Sequence, residues 1–247
     1  MPTTPTTESE EVSLMHSTQD PVKPFLYLAS QSPRRAQLLD QLGIEHRLLL
    51  ADCSEDVESL EEVLQGETAT DYVQRVTALK LTAALKRLDA HLLRQAGKAQ
   101  SFDLKASPSA SQGYTLAPIL CADTTVALGD QILGKPNSVD DAHRILTLLS
   151  GQTHQVLTAV TVSWGALEHD EGEPFLRALS VSCVEFAALS PDEINAYVQT
   201  GEPMGKAGAY AVQGRAAGFI KNIQGSYSGI MGLPLYECAQ LIKQLGL

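Results

Sequence analysis

APILCADTTVAL, residues 117–128, limits the fold more than any other stretch of the chain. It carries one charge in a run of apolar and β-favouring residues, the pattern of a buried strand, and the Gly129-Asp130 pair behind it is a hairpin turn signal. Such a strand belongs inside a sheet, so the rest of the chain is read for what pairs with it. PFLYLAS (24–30) and EHRLLLAD (45–52) predict two short strands with a helix between them, and residues 53–70 are acidic and loop-like. The window 70–95 predicts a long helix, with Thr70 as its cap and Val73, Val76, Leu79, Ala83 and Leu88 at helical intervals. HQVLTAVTVSW (154–164) and FLRALSVSCVEFAAL (175–189) predict an antiparallel pair joined through the polar EHDEGEP. A helix over 190–200, a glycine-dense segment of short strands and turns, and a last helix from Pro234 follow. Strands and helices interleave without internal repeats, so the expected class is α/β, with a mixed sheet flanked by helices.

The helix between the first two strands, LASQSPRRAQLLDQLG (28–43), breaks a rule that the others keep. Ser32 suits the N-cap, Pro33 the first position, Leu38, Leu39 and Leu42 the apolar face, and Gly43 the stop. Its first turn carries Arg34 and Arg35 at the positive end of the helix dipole, where each exposed cation costs roughly 0.3–1 kcal/mol. The other Ser-Pro helix, from Ser190, has Asp192 and Glu193 in that turn, and the helix from Ser138 has Asp140 and Asp141. A local exception of this kind points to a functional site: free N–H groups and two guanidinium forks would hold phosphate oxygens. The bland alternative is a solvated arginine pair.

Composition bounds the partners. The net charge of −11 argues against a broad basic face for duplex nucleic acid, and 5% aromatic residues argue against stacking platforms for single strands. A small anion can still bind where a few cations converge. Cys53, Cys121, Cys183 and Cys238 lie far apart with no CxxC pair, so they read as free thiols rather than a zinc site or disulfide framework. Residues 1–23 have no apolar h-region, are acidic and lack Arg, so they read as a disordered tail before one domain over 24–247. No stretch approaches the ~20 apolar residues of a membrane span, and the expected setting is cytoplasmic. Residues 96–115, rich in Ser, Ala, Gly and Lys, predict a flexible surface insertion.

Within this frame a few residues stand out. Asp123 is a carboxylate in an apolar strand, so it must be paired, bound to a metal or neutralised, or else it caps a local turn at the strand end. Lys135 in LGKPN and Lys206 in GKAGAY are single lysines in uncharged surroundings beside glycine, which lets backbone approach a ligand. Lys80 lies on the long helix and Glu55 in the acidic loop; each is either a solvated side chain or part of a site, with Glu55 as a second carboxylate for a divalent metal. His154 has no second His at helical spacing and reads as structural.

Taken in order, LASQSPRRAQLL, CADTTV, GKP, SGQTHQVLTAV, KAGAYAVQG and GSYSGIMGLPL resemble the Maf family of nucleotide pyrophosphatases, over residues 25–247 apart from an insertion at about 89–116. The resemblance implies an elongated central sheet with two lobes around a cleft. It also implies hydrolysis of a nucleoside triphosphate to the monophosphate and pyrophosphate with a divalent metal, magnesium or manganese. The last two blocks look like the branch acting on dTTP and UTP. Carried over by position, the resemblance makes Asp123 the proton acceptor and, with Glu55, a metal-holding acid. Arg34, Thr124 and Gln213 become substrate-selecting, and Ser30, Arg34, Arg35, Lys80, Lys135 and Lys206 phosphate-contacting. The Gln213 amide offers a donor and an acceptor, which fits the edge of uracil or thymine. One departure is RVTALKL around Lys80, where the family has Arg-Leu-Ala before the lysine and Ala after it. The resemblance further implies a homodimer. Two other readings compete: a nucleotide-binding regulator of septum formation without turnover, and a monophosphatase releasing orthophosphate. A pure binder has no need of the acid at 123.

Overall fold

The computed structural model describes residues 24–52, 55–56, 58–99, 113–164 and 175–247. The chain begins with β1 (Leu26–Leu28), α1 (Pro33–Gln41) and β2 (His46–Leu48), and the two strands pair in parallel. A one-turn 3-10 helix, Glu58–Glu61, precedes α2 (Ala69–Ala99), and β3 (Pro118–Leu128) turns back into β4 (Gln131–Leu133). Then come α3 (Val139–Leu149), β5 (Thr153–Trp164), β6 (Leu176–Phe186), α4 (Pro191–Val198), β7 (Ile220–Gln224), α5 (Tyr227–Met231) and α6 (Leu235–Gln244). The strands form one mixed sheet in the order β2-β1-β3-β5-β6-β7, with β4 also on β3.

The predicted buried strand is the one on which this sheet depends. One edge of β3 pairs with β5 from Pro118 to Ala127. The other edge is shared: β1 runs parallel to it at Ile119 and Leu120, and β4 folds back antiparallel at Val126–Leu128. Between these partners, no strand among the described residues pairs with the edge from Cys121 to Thr125. The sheet therefore has a gap beside Asp123.

The core divides around that gap. On one side Val126, Leu133, Leu146, Val184 and Phe186 pack with α3 and α4. On the other, Leu26, Leu28, Leu38, Leu39 and Leu120 pack with α6. Across the sheet, Leu81, Leu85 and Leu88 of α2 cover Tyr27, Ile119 and Cys121. Each such leucine, fully buried, contributes about 1.5–3 kcal/mol of transfer free energy, so both parts are anchored independently of any ligand.

Several expectations need correction. The helix predicted over 70–95 is present and runs on to Ala99, into the insertion expected at about 89–116, with Leu88 and Leu92 continuing its apolar face. The returning chain also packs on that helix: Tyr114 stacks on His91 with ring centroids 4.0 Å apart, and Gln95 donates to the Tyr114 carbonyl. Residues 100–112, the tail 1–23, Cys53 and the EHDEGEP turn lie outside the described residues. β6 stops at Phe186 instead of Leu189. The glycine-dense segment contains an unforeseen helix, α5, which Ser226 caps by accepting from the Gly229 N–H and which ends at Gly232 with φ of 123°. No helix of the described residues is long and apolar enough to cross a membrane.

Candidate active site

The gap in the β3 edge opens into a cavity of ≈ 790 Å³. Successive residues of a strand point to opposite faces, and Asp123 and Thr124 do so here. Asp123 faces α2, where Nζ of Lys80 donates to its Oδ1 at 2.6 Å. Thr124 faces α1, where the Arg35 guanidinium donates to its Oγ1 at 3.3 Å. Because no strand closes this stretch of edge, both side chains line the same cavity.

The α1 wall is held by the far end of the chain. Arg35 donates through Nε to the Gly232 carbonyl at 2.8 Å and through Nη1 to Ser30 Oγ at 3.0 Å. Thr124 passes the contact on: its hydroxyl meets Thr158 Oγ1 at 2.9 Å, and Thr158 donates to the Gly229 carbonyl at 2.7 Å. Arg34 donates through Nε to the Met231 carbonyl at 3.2 Å, and among the described residues nothing bonds its terminal nitrogens. Burial lowers the pKa of both guanidiniums, an effect that Asp123 opposes at Arg35. Their charge is thus held in a partly dry place that an anion would relieve.

The α2 wall pairs cations with acids. Lys80 bridges Asp123 and Glu61, whose Oε1 accepts from it at 2.7 Å. Glu61 Oε2 accepts from Lys135 at 2.7 Å. Burial would raise the Glu61 carboxyl, but its two lysines outweigh burial and hold it below the usual carboxylate range. The Lys80 and Asp123 side chains are 13% and 9% exposed, so this ion pair is largely desolvated, and loss of Lys80 strands the Asp123 carboxylate, whereas loss of Asp123 leaves Lys80 with Glu61.

Glu55, the acid expected beside Asp123, also lines the cavity, where it is paired with a different cation. Arg87, two turns after Lys80 on the cavity side of α2, donates to both Glu55 oxygens, at 2.7 and 2.5 Å, and to the Leu49 carbonyl. That hydrogen-bonded guanidinium holds the Glu55 carboxyl low. The acid that shares a lysine with Asp123 is Glu61. Neither Glu61 nor Arg87 was foreseen. The helical spacing from Lys80 to Arg87 was a usable signal, whereas Glu61 was one acid in an acidic stretch.

The fourth wall comes from the glycine-rich segment. Lys206 donates to the Glu202 carbonyl, and its charge is disfavoured first by burial and then by Arg34 nearby, with Glu202 opposing both. Gln213 is exposed and lines the cavity. Beneath it Tyr210 is fixed by His154, whose Nε2 lies 2.9 Å from the tyrosine hydroxyl. His154 is buried against Phe186, a structural role as expected. All the residues expected at the site thus line one cavity, and with Arg87 their cations number six in a chain of net charge −11.

Comparison with known proteins gives a consistent picture. The family described as Maf-like protein matches residues 25–245. The chain is 53% identical to a dTTP/UTP pyrophosphatase of Ralstonia nicotianae over 221 residues, covering 90% of this chain and 94% of that protein. It is 53% identical to a protein of the same name from Cupriavidus pinatubonensis, covering 89% and 96%. A third, from a Polaromonas species, is 51% identical over 227 residues, covering 92% and 98%.

Proposed function

This chain belongs to the family of Maf-like proteins, and we propose that it is a nucleoside triphosphate pyrophosphatase that cleaves dTTP and UTP to the monophosphate and pyrophosphate. The observation that carries this reading is the convergence of Asp123 and six cations on one cavity of ≈ 790 Å³. Acids in the lining hold Lys80, Lys135 and Arg87, but Arg34, Arg35 and Lys206 are bonded to no carboxylate among the described residues, and a triphosphate supplies the anions that they lack.

In this reading Arg34, Arg35 and Ser30 at the start of α1, with Lys80, Lys135 and Lys206, bind and orient the phosphate chain. A water oxygen forms the new bond to phosphorus at the α–β anhydride. The bond from that phosphorus to the bridging oxygen breaks, and pyrophosphate leaves with its electron pair. The lysines and arginines stabilise the charge that develops on it. Asp123, in reach of Lys80, takes the proton of the attacking water. Gln213 reads the edge of the base, with Thr124 and Arg34 helping to place the nucleotide.

The donor set fits a hard divalent cation such as magnesium or manganese. Among the described residues no group of three or more His, Cys, Asp or Glu side chains is set to hold one. Magnesium needs no such cage, because it binds through one or two carboxylates plus substrate phosphates. Asp123 would hold it, while Glu55 would have to give up Arg87 first. The metal would supply Lewis-acid polarisation of the phosphoryl oxygens. We extend the proposal to a homodimer, on the family resemblance alone, and to the cytoplasmic setting expected from the sequence.

The test is release of pyrophosphate against orthophosphate over a panel of triphosphates with magnesium or manganese. Pyrophosphate is expected, fastest with dTTP and UTP. Asp123→Asn should lower kcat by at least ~100-fold, the usual scale of acid–base catalysis, while the protein still folds because Lys80 keeps Glu61 as a partner. Orthophosphate as the product, or full turnover by the variant, would overturn this assignment.

A further inference from the structure

We propose that Glu61 is an internal stand-in for a substrate phosphate: in the ligand-free protein it occupies Lys80 and Lys135, and it surrenders them when a triphosphate enters. The inference rests on the phosphate-binding role given to those lysines above.

Three observations lead to it. First, each Glu61 oxygen is committed to a different lysine, Oε1 to Lys80 and Oε2 to Lys135, both at 2.7 Å. Two anionic oxygens on two ammonium groups is the arrangement that a phosphate would make with the same pair. Second, the main chain that presents Glu61 is fixed without the lysines. The Tyr72 hydroxyl donates to the Glu61 carbonyl at 3.0 Å. Arg75 donates to the Glu62 carbonyl at 2.8 Å and to both oxygens of Glu67. The carboxylate is therefore delivered by a docked segment, and its side chain alone must move to release the lysines. Third, Nζ of Lys80 lies between the carboxylates of Glu61 and Asp123, 2.7 and 2.6 Å from them. A cation already stands where the two acids meet, which favours Glu61 as a competitor for the lysine over Glu61 as a metal ligand beside Asp123.

Glu55 makes a useful contrast. Its partner Arg87 also bonds the Leu49 carbonyl, so that pair ties the acidic segment to the end of β2. The Lys135 side chain, by comparison, is 53% exposed and able to swing to a new anion. Glu61 thereby weakens the hold on bound phosphates, and after cleavage it re-forms its own pairs as pyrophosphate departs.

Calorimetric titration of inorganic pyrophosphate in the presence of EDTA tests this apart from turnover. Glu61→Gln keeps the size of the side chain and removes its charge. It should bind pyrophosphate roughly tenfold more tightly than the unaltered chain, the scale of one charge-assisted hydrogen bond, and lower the KM for UTP in the presence of magnesium. The gain should shrink in a Lys135→Ala background, where half the competition is already gone. Glu67→Gln, which loosens the same segment at Arg75, should leave pyrophosphate affinity unchanged. Unchanged or weaker binding by Glu61→Gln overturns the proposal; weaker binding with lost magnesium-dependent turnover places Glu61 among the metal-holding acids instead. If the unaltered chain fails to bind pyrophosphate at all, the phosphate role of the lysines falls, and this inference with it.

Discussion

His154 makes no expected contact with substrate, yet its burial makes the stability of the fold depend on pH. Burial lowers its pKa from 6.5 to about 4. The unfolded chain therefore takes up a proton before the folded one does as the pH falls. The stability this gives is complete above pH 6.5 and is lost progressively toward pH 4, a change of about 3 kcal/mol at most. Replacing His154 with Gln keeps a hydrogen-bonding partner for Tyr210 and removes the titration. Denaturant unfolding of that variant between pH 4 and 7 should give a flatter profile than the unaltered chain, and an equal slope would remove His154 from this role. The residue scale also explains why Lys80 tolerates its position. A largely buried ammonium needs an anion, and it has two.

At the level of elements, three of the four helices with a serine N-cap, α1, α3 and α4, divide by function. In α4 the Ser190 hydroxyl accepts from the Glu193 N–H, and the Glu193 carboxylate accepts from the Ser190 N–H, closing a capping box. In α3 Ser138 accepts from the Asp141 N–H. In α1 the Ser32 side chain makes no cap, and the first turn holds Arg34 and Arg35 in place of acids. Two helix starts are finished for stability, and the third faces the cavity. Ser190→Ala should cost ~1 kcal/mol in denaturant unfolding with unchanged pyrophosphate release, whereas Ser32→Ala should cost much less because there is no cap to lose. A Ser32→Ala cost as large as that of Ser190→Ala would contradict this division. α2 plays a different part, as a rack on which Tyr72, Arg75, Lys80 and Arg87 hold the acidic segment against the site.

Across the whole molecule, the cavity is walled by parts of the chain that are far apart in sequence. Ser30 to Arg35, Lys80, Asp123, Lys135, Lys206-Ala207, Tyr210 to Gln213 and Met231-Gly232 all border it. A ligand that fills the cavity touches both parts of the divided core, so its binding is linked to global unfolding. A UTP analogue with a methylene α–β bridge, at 100 times its Kd with magnesium, should add about 2.7 kcal/mol of stability. Thermal unfolding reads this directly, and an unmoved midpoint would mean that the analogue does not bind the folded chain. The overall charge of −11 does not oppose this, because the cations are gathered where the phosphates go.

The sequence by itself determined the alternation of strands and helices, the exceptional first turn of α1, and the carboxylate inside β3. These are local patterns, set by propensity, capping and periodicity over a few neighbours, so they survive without knowledge of the fold. The last turn of α2, residues 96–99, and the short helix α5 were legible in principle, but polar and glycine-rich composition masked them. Only the tertiary structure decided which acid meets which cation. Glu61 finds Lys80 across 19 positions and Lys135 across 74, and Glu55 finds Arg87 across 32, in a chain with 29 acidic residues. Those pairings follow from how the segment 55–67 lies along α2. The site itself exists because β1 and β4 share one edge of β3 and leave its middle open, a choice made by strand pairing across the whole sheet that no single stretch of sequence encodes.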